Sequence, residues 1–391
     1  MSRRLPVIGI LGGGQLARML ALAAAPLGVR CSVVDGSADA CAGQLAPLRV
    51  ADWRDLASLE QFAAAVDVVT FDFENVPAAT AEWLRQRVPV HPSPEALAVA
   101  QDRISEKMLF RAIGLDTPAF AAVSTRSELD AAVARIGVPS ILKTRRLGYD
   151  GKGQFRLRSA TDVDAAWAAL GAQATPHGLV LEAFVPFTRE LSVLAVRGRD
   201  GEFRTWPLTQ NWHHQGILAL SHAPAEVAPE LAALALHKAQ ALAEKLDYVG
   251  VFALELFEHA GHLLGNEMAP RVHNSGHWTI EGAVTSQFEN HVRAVLGLPL
   301  GATTLRAPSV MFNWIDALPE PVTGALALSD VHWHDYGKDP RPGRKVGHAT
   351  IACADSVQLL ARAQALAQAL GREPQLAPAL PVLHAGAAPR G

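Results

Sequence analysis

The sequence predicts a multi-domain fold of mixed α/β and α+β character, and three observations carry that expectation. The first hundred residues alternate strand and helix, a glycine-rich loop follows a strand-borne lysine, and two glutamates face each other across a later hairpin. A chain of 391 residues is too long for one hydrophobic core, so roughly two to four domains are expected. At 49% hydrophobic and 19% charged residues it reads as globular protein. The net charge of −3, without a basic block, excludes general nucleic-acid affinity. Cys31, Cys41 and Cys353 are scattered, with no metal spacing and no disulfide framework. They fit a reducing cytoplasm. The apolar run after Arg4 breaks at glycines, too soon for a signal sequence, and no stretch is long enough to span a membrane.

"PVIGIL" reads as a strand, and Gln15–Ala25 as a helix with Leu16, Met19, Leu20 and Ala23 on one face. "CSVVD" and "DVVTFDFE" are further strands, the second leading past Pro77 into a helix through Trp83 and Leu84. "VPVHP" is short and extended. This βαβ rhythm implies a parallel, doubly wound sheet. Gly12-x-Gly14-x-x-Ala17 also fits a dinucleotide fingerprint, with Asp35 placed as a ribose-binding acid, so NAD remains open at this point.

From residue 102 the character changes. "DRISEKMLFRAIG" is a helix ending at Gly114, and "STRSELDAAVARIG" opens on the capping box Thr125-x-x-Glu128 and closes on Gly137. "PSILKTRR", the loop "LGYDGKGQ", "FRLR", a helix over "DVDAAWAALG" and a strand over "GLVLEAFV" complete a small α+β unit. "ELSVLAVRG" and "FRTWPL" join through an Asp200-Gly201 turn, and a helix spans Pro229–Leu246. "GVFALELFE" and "HLLGNEMA" form a hairpin about Ala260-Gly261. "PSVMFNW" opens a smaller β-containing tail, whose Ala/Pro-rich end from Leu376 is expected to be loose.

Four stretches carry chemistry. Lys143 precedes a loop holding Gly148, Gly151 and Gly153, which suits phosphates covered by backbone N–H groups, although a plain hairpin turn fits as well. Glu255 and Glu267, both among apolar neighbours, would be cross-strand partners, and a magnesium ion between them would remove the cost of that arrangement. Arg271, His273, Asn274, Ser275 and His277 crowd one short segment, fit for an anionic substrate and proton transfer. In "RPGRKVGH" three cations flank a turn; taken locally, a solvated basic turn is the better reading.

Together these residues resemble the ATP-grasp superfamily. "GYDGKGQ", "NEMAPRVHNSGHWT" and "RPGRKVGH" in combination resemble its 5-(carboxyamino)imidazole ribonucleotide synthases, from "GILGGGQLARML" to about residue 350. The resemblance implies a Rossmann-like N-terminal domain (1–101) and an ATP-grasp core. That core comprises a lid subdomain (102–187) and a larger subdomain with the metal hairpin (188–305). A small β-containing C-terminal domain (306–391) follows. It implies a ligase in which ATP phosphorylates bicarbonate to carboxyphosphate. That species, or carbon dioxide from it, carboxylates the exocyclic amine of 5-aminoimidazole ribonucleotide, leaving ADP and phosphate, in purine biosynthesis. ATP and Mg2+ are implied (Mn2+ as a substitute), but not NAD or biotin, nucleic acid or membrane. A cytoplasmic homodimer and a downstream mutase receiving the product are also implied.

By the same resemblance, Arg103 and Lys143 contact phosphates, and Gly148, Tyr149, Asp150, Gly151, Lys152, Gly153 and Gln154 cover them. Glu182, Ala183, Phe184 and Val185 run along the adenine, Glu190 holds the ribose, and His213 belongs to the nucleotide site. Glu255 and Glu267 take the metal, with Asn266 beside them. The ribonucleotide lies near Gln15, Leu16, Glu74, Tyr149, Asp150, Arg271, His273, Asn274, Arg344 and Lys345, of which Tyr149, Arg271, His273, Asn274 and Lys345 are catalytic. The "GGGQ" loop becomes a substrate-side loop whose bare amides attract an anion, and Asp35 a mere strand-end residue. Leu147 stands where the family commonly has glycine. Alternatives are another ATP-grasp ligase, such as a formate-dependent glycinamide ribonucleotide transformylase or a biotin carboxylase, which would not need "RVHNSGHWT". An NAD-dependent oxidoreductase rests on residues 9–35 alone and leaves the acidic pair and the basic turn unexplained, and the intact set of Lys143, Glu255 and Glu267 argues against a non-catalytic nucleotide-binding module.

Overall fold

The computed structural model describes residues 4–148, 152–175 and 177–387. The N-terminal strands are β1 (Val7–Leu11), β2 (Arg30–Asp35), β3 (Leu48–Val50) and β4 (Val68–Phe71), and they form a parallel sheet in the order β3-β2-β1-β4. Val90 of the "VPVHP" stretch adds a single parallel bridge to Val69. The Gln15–Ala24 helix buries Leu16, Met19 and Leu20 against this sheet, as its apolar spacing requires.

The lid sheet comprises β5 (Phe120–Val123), β6 (Ser140–Thr144), β7 (Gln154–Leu157) and β8 (Leu179–Ala183), antiparallel in the order β5-β8-β6-β7. Thr125 caps the Arg126–Ile136 helix by accepting from Glu128 N at 3.2 Å. The expected box is only half made, because the Glu128 carboxylate reaches Ser124 N instead, at 2.6 Å.

The third sheet contains β9 (Arg189–Arg197), β10 (Phe203–Thr205), β11 (Thr209–His214), β12 (Ile217–Ala223), β13 (Gly250–His259) and β14 (His262–Ala269). It continues through β15 (Ser309–Ile315), β16 (Val331–Asp335) and β17 (Lys345–Ala352), in the order β14-β13-β9-β11-β12-β15-β17-β16, with β10 on β9. The tail strands therefore extend the large sheet: β15 pairs Ser309–Phe312 with Ala223–Leu220 of β12, which would otherwise be an open edge. The chain's end corrects the expectation of a loose tail. A helix runs Leu380–Ala387, and Leu376, Ala379 and Leu383 are buried with the apolar face of the Ser356–Ala369 helix. Composition alone hid this stripe, whose spacing is helical.

Two contacts draw the tail back over the N-terminal domain. Gln44 Nε2 donates to Gly337 O at 3.1 Å, and Lys338 Nζ donates to the Gln15 side chain. The loop between β16 and β17 is thereby brought over the glycine loop.

Candidate active site

The Arg103–Ala112 helix sets one wall. Asp102 caps it, accepting from Ile104 N and Ser105 N at 3.1 Å each, and also pairs with Arg145 at 2.8 Å. Its inward stripe carries charge as well as Phe110: Glu106 and Lys107 are only 2% and 1% exposed. Glu106 Oε1 accepts from Met268 N at 2.6 Å, and Lys107 Nζ reaches Asn266 O at 3.5 Å. These two neighbours grip the main chain on either side of Glu267. Lys107 also pairs with Glu182 at 3.3 Å, and Glu182 pairs with Lys143 at 2.9 Å. Burial would raise the Glu182 carboxyl, but Lys143, Lys107 and Arg103 prevail and hold it down to about 2. Burial pushes Glu106 up to about 8, and the Glu267 charge adds to it. The sequence reading missed Glu106 and Lys107. The signal was present, because Arg103, Glu106, Lys107 and Phe110 share one helical face.

The β13–β14 hairpin forms the floor. Ala260 and Gly261 both have positive φ, 48° and 78°, as a tight two-residue turn demands. That turn alone would set Glu255 against Asn266. A bulge at Asn266 shifts the register, and Glu255 faces Glu267. Glu190 and His213 lie on the same face through β9 and β11, joined to each other at 2.6 Å. Arg103 Nη1 stands 3.3 Å from Glu267, and His273 Nε2 3.1 Å from Glu255. Burial and the Glu267 charge push Glu255 up to about 8. Burial, with Arg271 and Lys345 nearby, takes His273 well below the usual imidazole range. The pair is thus poised for a cation. Among the described residues no three His, Cys, Asp or Glu form a metal cage.

Between hairpin, glycine loop and β16–β17 loop lies a cleft of about 770 Å³. Among the described residues nine Lys and Arg line it against five Asp and Glu, in a chain of net charge −3. It brings together Gln15, Leu16, Glu74, Arg103, Gly148, Lys152, Glu267, Arg271, His273, Asn274, Arg344 and Lys345. Arg271 is ion-paired with Glu74, whose carboxyl stays below its usual range despite burial because of that arginine. Leu16 points its side chain into the core, so it offers main chain only. Lys338, which the sequence reading missed, lines the same cleft. Lys143, Glu182, Glu190, His213, Glu255 and Asn266 lie outside this lining; Glu255 meets it through His273, Asn266 adjoins Glu267, and Lys143–Glu182 and Glu190–His213 pair among themselves. Gln154 is paired with Lys143 across β6–β7, Gly153 packs its Cα against Thr144, and Arg156 lies 4.0 Å over the Phe184 ring, beside Ala183 and Val185. Leu147 adopts φ +62°, the left-handed region that favours glycine. Tyr149, Asp150 and Gly151 lie outside the described residues.

The glycine loop corrects the expectation of bare amides. Asp72 accepts from Gly14 N at 2.5 Å and Ala17 N at 3.0 Å, and Asp35 from Gly13 N at 2.7 Å. Asp35 is therefore a loop-holding residue, not a mere strand end. Two internal carboxylates already occupy the place of an anion.

Family models match along the chain: a ribonucleotide synthetase preATP-grasp domain over residues 5–101, an ATP-grasp domain over 108–288 and a phosphoribosylaminoimidazole carboxylase C-terminal domain over 309–362. Fold and site together define an ATP-grasp ligase. An N5-carboxyaminoimidazole ribonucleotide synthase of Pseudomonas aeruginosa is 53% identical over 363 residues, 91% of this chain and 97% of that protein. The crystal structure of the Thermus thermophilus synthetase superposes with TM-score 0.88 at 49% identity, over 93% of this chain and 98% of that one. The Aspergillus clavatus synthase, solved with ADP and 5-aminoimidazole ribonucleotide, gives 0.85 at 30%, over 94% and 99%. The chain belongs to the N5-carboxyaminoimidazole ribonucleotide synthase family, whose members carboxylate 5-aminoimidazole ribonucleotide with ATP in purine biosynthesis.

Proposed function

We propose that this chain joins bicarbonate to the exocyclic amine of 5-aminoimidazole ribonucleotide, with the nucleotide over the β13–β14 floor and the ribonucleotide in the cleft. The observation that carries the reading is the facing Glu255–Glu267 pair, bounded by Arg103 on one side and His273 on the other. A cation and phosphates held there would lie beside the polar 271–274 segment.

Arg103 and Lys143 hold the phosphates, with Gly148, Lys152, Gly153 and Gln154 above them and, outside the described residues, Tyr149, Asp150 and Gly151. The main chain of Glu182–Val185 takes the adenine, and Glu190 with His213 the ribose. Glu255 and Glu267, with Asn266 alongside, hold Mg2+ or Mn2+, which when bound draws charge from the transferred phosphoryl group. A bicarbonate oxygen attacks the γ-phosphorus, the bond to ADP breaks, and carboxyphosphate forms. The amine then attacks its carboxyl carbon, or the carbon dioxide it releases. Phosphate leaves, and the amine gives up one proton. Arg271, held by Glu74, and Arg344 and Lys345 bind the anionic groups, while Gln15, Leu16, His273 and Asn274 orient the ribonucleotide.

The product goes to a mutase in the cytoplasm, and the chain works as a homodimer; sedimentation tests the latter. The reaction is tested by ADP release, which is expected to require both 5-aminoimidazole ribonucleotide and bicarbonate. Release that ignores either one overturns it.

A further inference from the structure

We infer that Gln287 is a positioning residue for this reaction: its buried amide fixes the main chain of His273, and residue 276 is glycine because that amide fills the space beside it. Gln287 begins the Gln287–Leu296 helix, capped by Ser286, and is fully buried. Its Oε1 accepts from His273 N at 2.9 Å, and its Nε2 donates to His273 O at 2.6 Å. One side chain thus serves both backbone groups of one residue, as a neighbouring strand would. Nε2 also lies 3.2 Å from His277 Nδ1. The Gln287 backbone N–H donates to Thr279 Oγ1 at 3.0 Å, and that hydroxyl donates to Gly276 O at 2.6 Å. The 273–279 segment is therefore tied to the helix at four points.

The imidazole is held as completely as the main chain. Ser275 N donates to His273 Nδ1 at 3.3 Å, and Nε2 faces Glu255 at 3.1 Å. With ring and backbone both fixed, His273 has no freedom to drift from the floor. A Cβ at Gly276 would fall 2.6 Å from Gln287 Oε1 and 2.7 Å from its Cδ, a distance real side chains do not tolerate. The glycine is a steric requirement of the clamp, so the two positions are coupled. Buried amide groups that lose their partners are costly, and misplacement of a group in a reacting site costs rate.

The inference rests on the proposed reaction, and the experiment separates the two. Gln287→Ala, Gln287→Glu, Gly276→Ala and the double variant Gly276→Ala/Gln287→Ala are compared with the parent chain. Turnover is scaled to sites counted by calorimetric ADP binding, and unfolding free energy is measured alongside. Gln287→Ala is expected to lower kcat by about 10²-fold with KM for ATP and ADP affinity unchanged. Gln287→Glu, which keeps the acceptor and loses the donor, should fall between. Gly276→Ala should impair the parent and add nothing to Gln287→Ala, in turnover and in unfolding free energy alike. Equal losses from Gly276→Ala in both backgrounds, or full turnover per ADP site in Gln287→Ala, overturn the inference. If Gln287→Ala does not fold, an active-site-normalised kcat in Gln287→Glu equal to that of the parent overturns it instead. If the parent chain ignores 5-aminoimidazole ribonucleotide, the reaction fails, and the unfolding cycle still decides the clamp.

Discussion

Two pairs of carboxylates, one at the glycine loop and one on the β13–β14 hairpin, have opposite surroundings. Asp35 and Asp72 are saturated from within: four backbone N–H groups, of Gly13, Ser37, Gly14 and Ala17, point at them within 3.0 Å. Glu255 and Glu267 face each other, with the Arg103 guanidinium 3.3 Å from Glu267 and the neutral His273 imidazole 3.1 Å from Glu255. The first pair has its compensation built in and holds a loop. The second lacks such built-in donors, and the proposed function gives it a cation to hold. Residue type does not separate the two cases; the supply of local donors does.

The comparison breaks most readily at Glu267. Glu267→Gln is expected to reduce turnover by more than the roughly 10–100-fold that loss of a ligand's outer partner costs. Metal-free stability should hold or rise, because a like-charge contact is removed. Steady-state assays and melting in chelator check this, and a lower melting point with turnover intact would refute it. Lys345→Ala tests the basic turn. A charge-assisted contact contributes roughly 1.5–3 kcal/mol, so use of 5-aminoimidazole ribonucleotide should weaken by about 10- to 200-fold. KM for ATP should stay constant; a rise there would put the basic turn on the wrong ligand.

Protons sharpen the contrast further. Glu255 keeps its proton up to about 8, and a cation must displace it. Affinity for magnesium with ADP should therefore rise with pH, by up to about tenfold per unit, and level off above pH 8. Calorimetry in buffers of different ionisation enthalpy would register the released proton, and a flat profile from pH 6 to 8 counts against the pair. The sign is opposite for folding: an unfolded chain gives up this proton near 4.5, the folded chain near 8. Between those values the folded state binds more protons, so metal-free stability falls as pH rises. Asp72→Asn should act on the fold alone. Leaving one of its amides unpaired costs about 1–3 kcal/mol, readable by urea titration, while turnover per folded molecule is kept. A variant that melts normally but loses turnover would move Asp72 into the substrate site.

The order of strands and helices was legible because each apolar stretch had a clear period. The facing glutamates were legible too, although the turn lies half a residue from the assumed centre and the Asn266 bulge restores the register. What stayed hidden depends on distant pairing. Nothing local in "RVHNSGHW" or "TSQFEN" marks Gln287 as the partner of His273; it sits 14 residues away on another element. Nothing in "PSVMFNW" says that its edge continues β12. The chain's end is ordered because Leu376, Ala379 and Leu383 recur at helical spacing and bury together, which alanine and proline content does not reveal. Glu106 and Lys107 were overlooked because charges on a helix normally face water.

The smallest expected effect is none at all, and it concerns the glycine loop. Gly12-x-Gly14-x-x-Ala17 has the spacing of a dinucleotide site, where helix N–H groups meet a pyrophosphate. Here the Asp72 carboxylate already stands 2.5 Å from Gly14 N, and Asp35 is turned to Gly13 N at 2.7 Å. A pyrophosphate would meet two negative charges in place of open donors, and its ribose would lack the acid that normally receives it. NAD and NADP titrated into the protein should give no heat and no fluorescence change. Asp72→Asn should not create binding either, because the amide side chain still fills the space. Micromolar NAD binding, abolished by Gly12→Val, would mean that the carboxylates leave the loop on binding and that the contrast between the two acidic pairs is wrong.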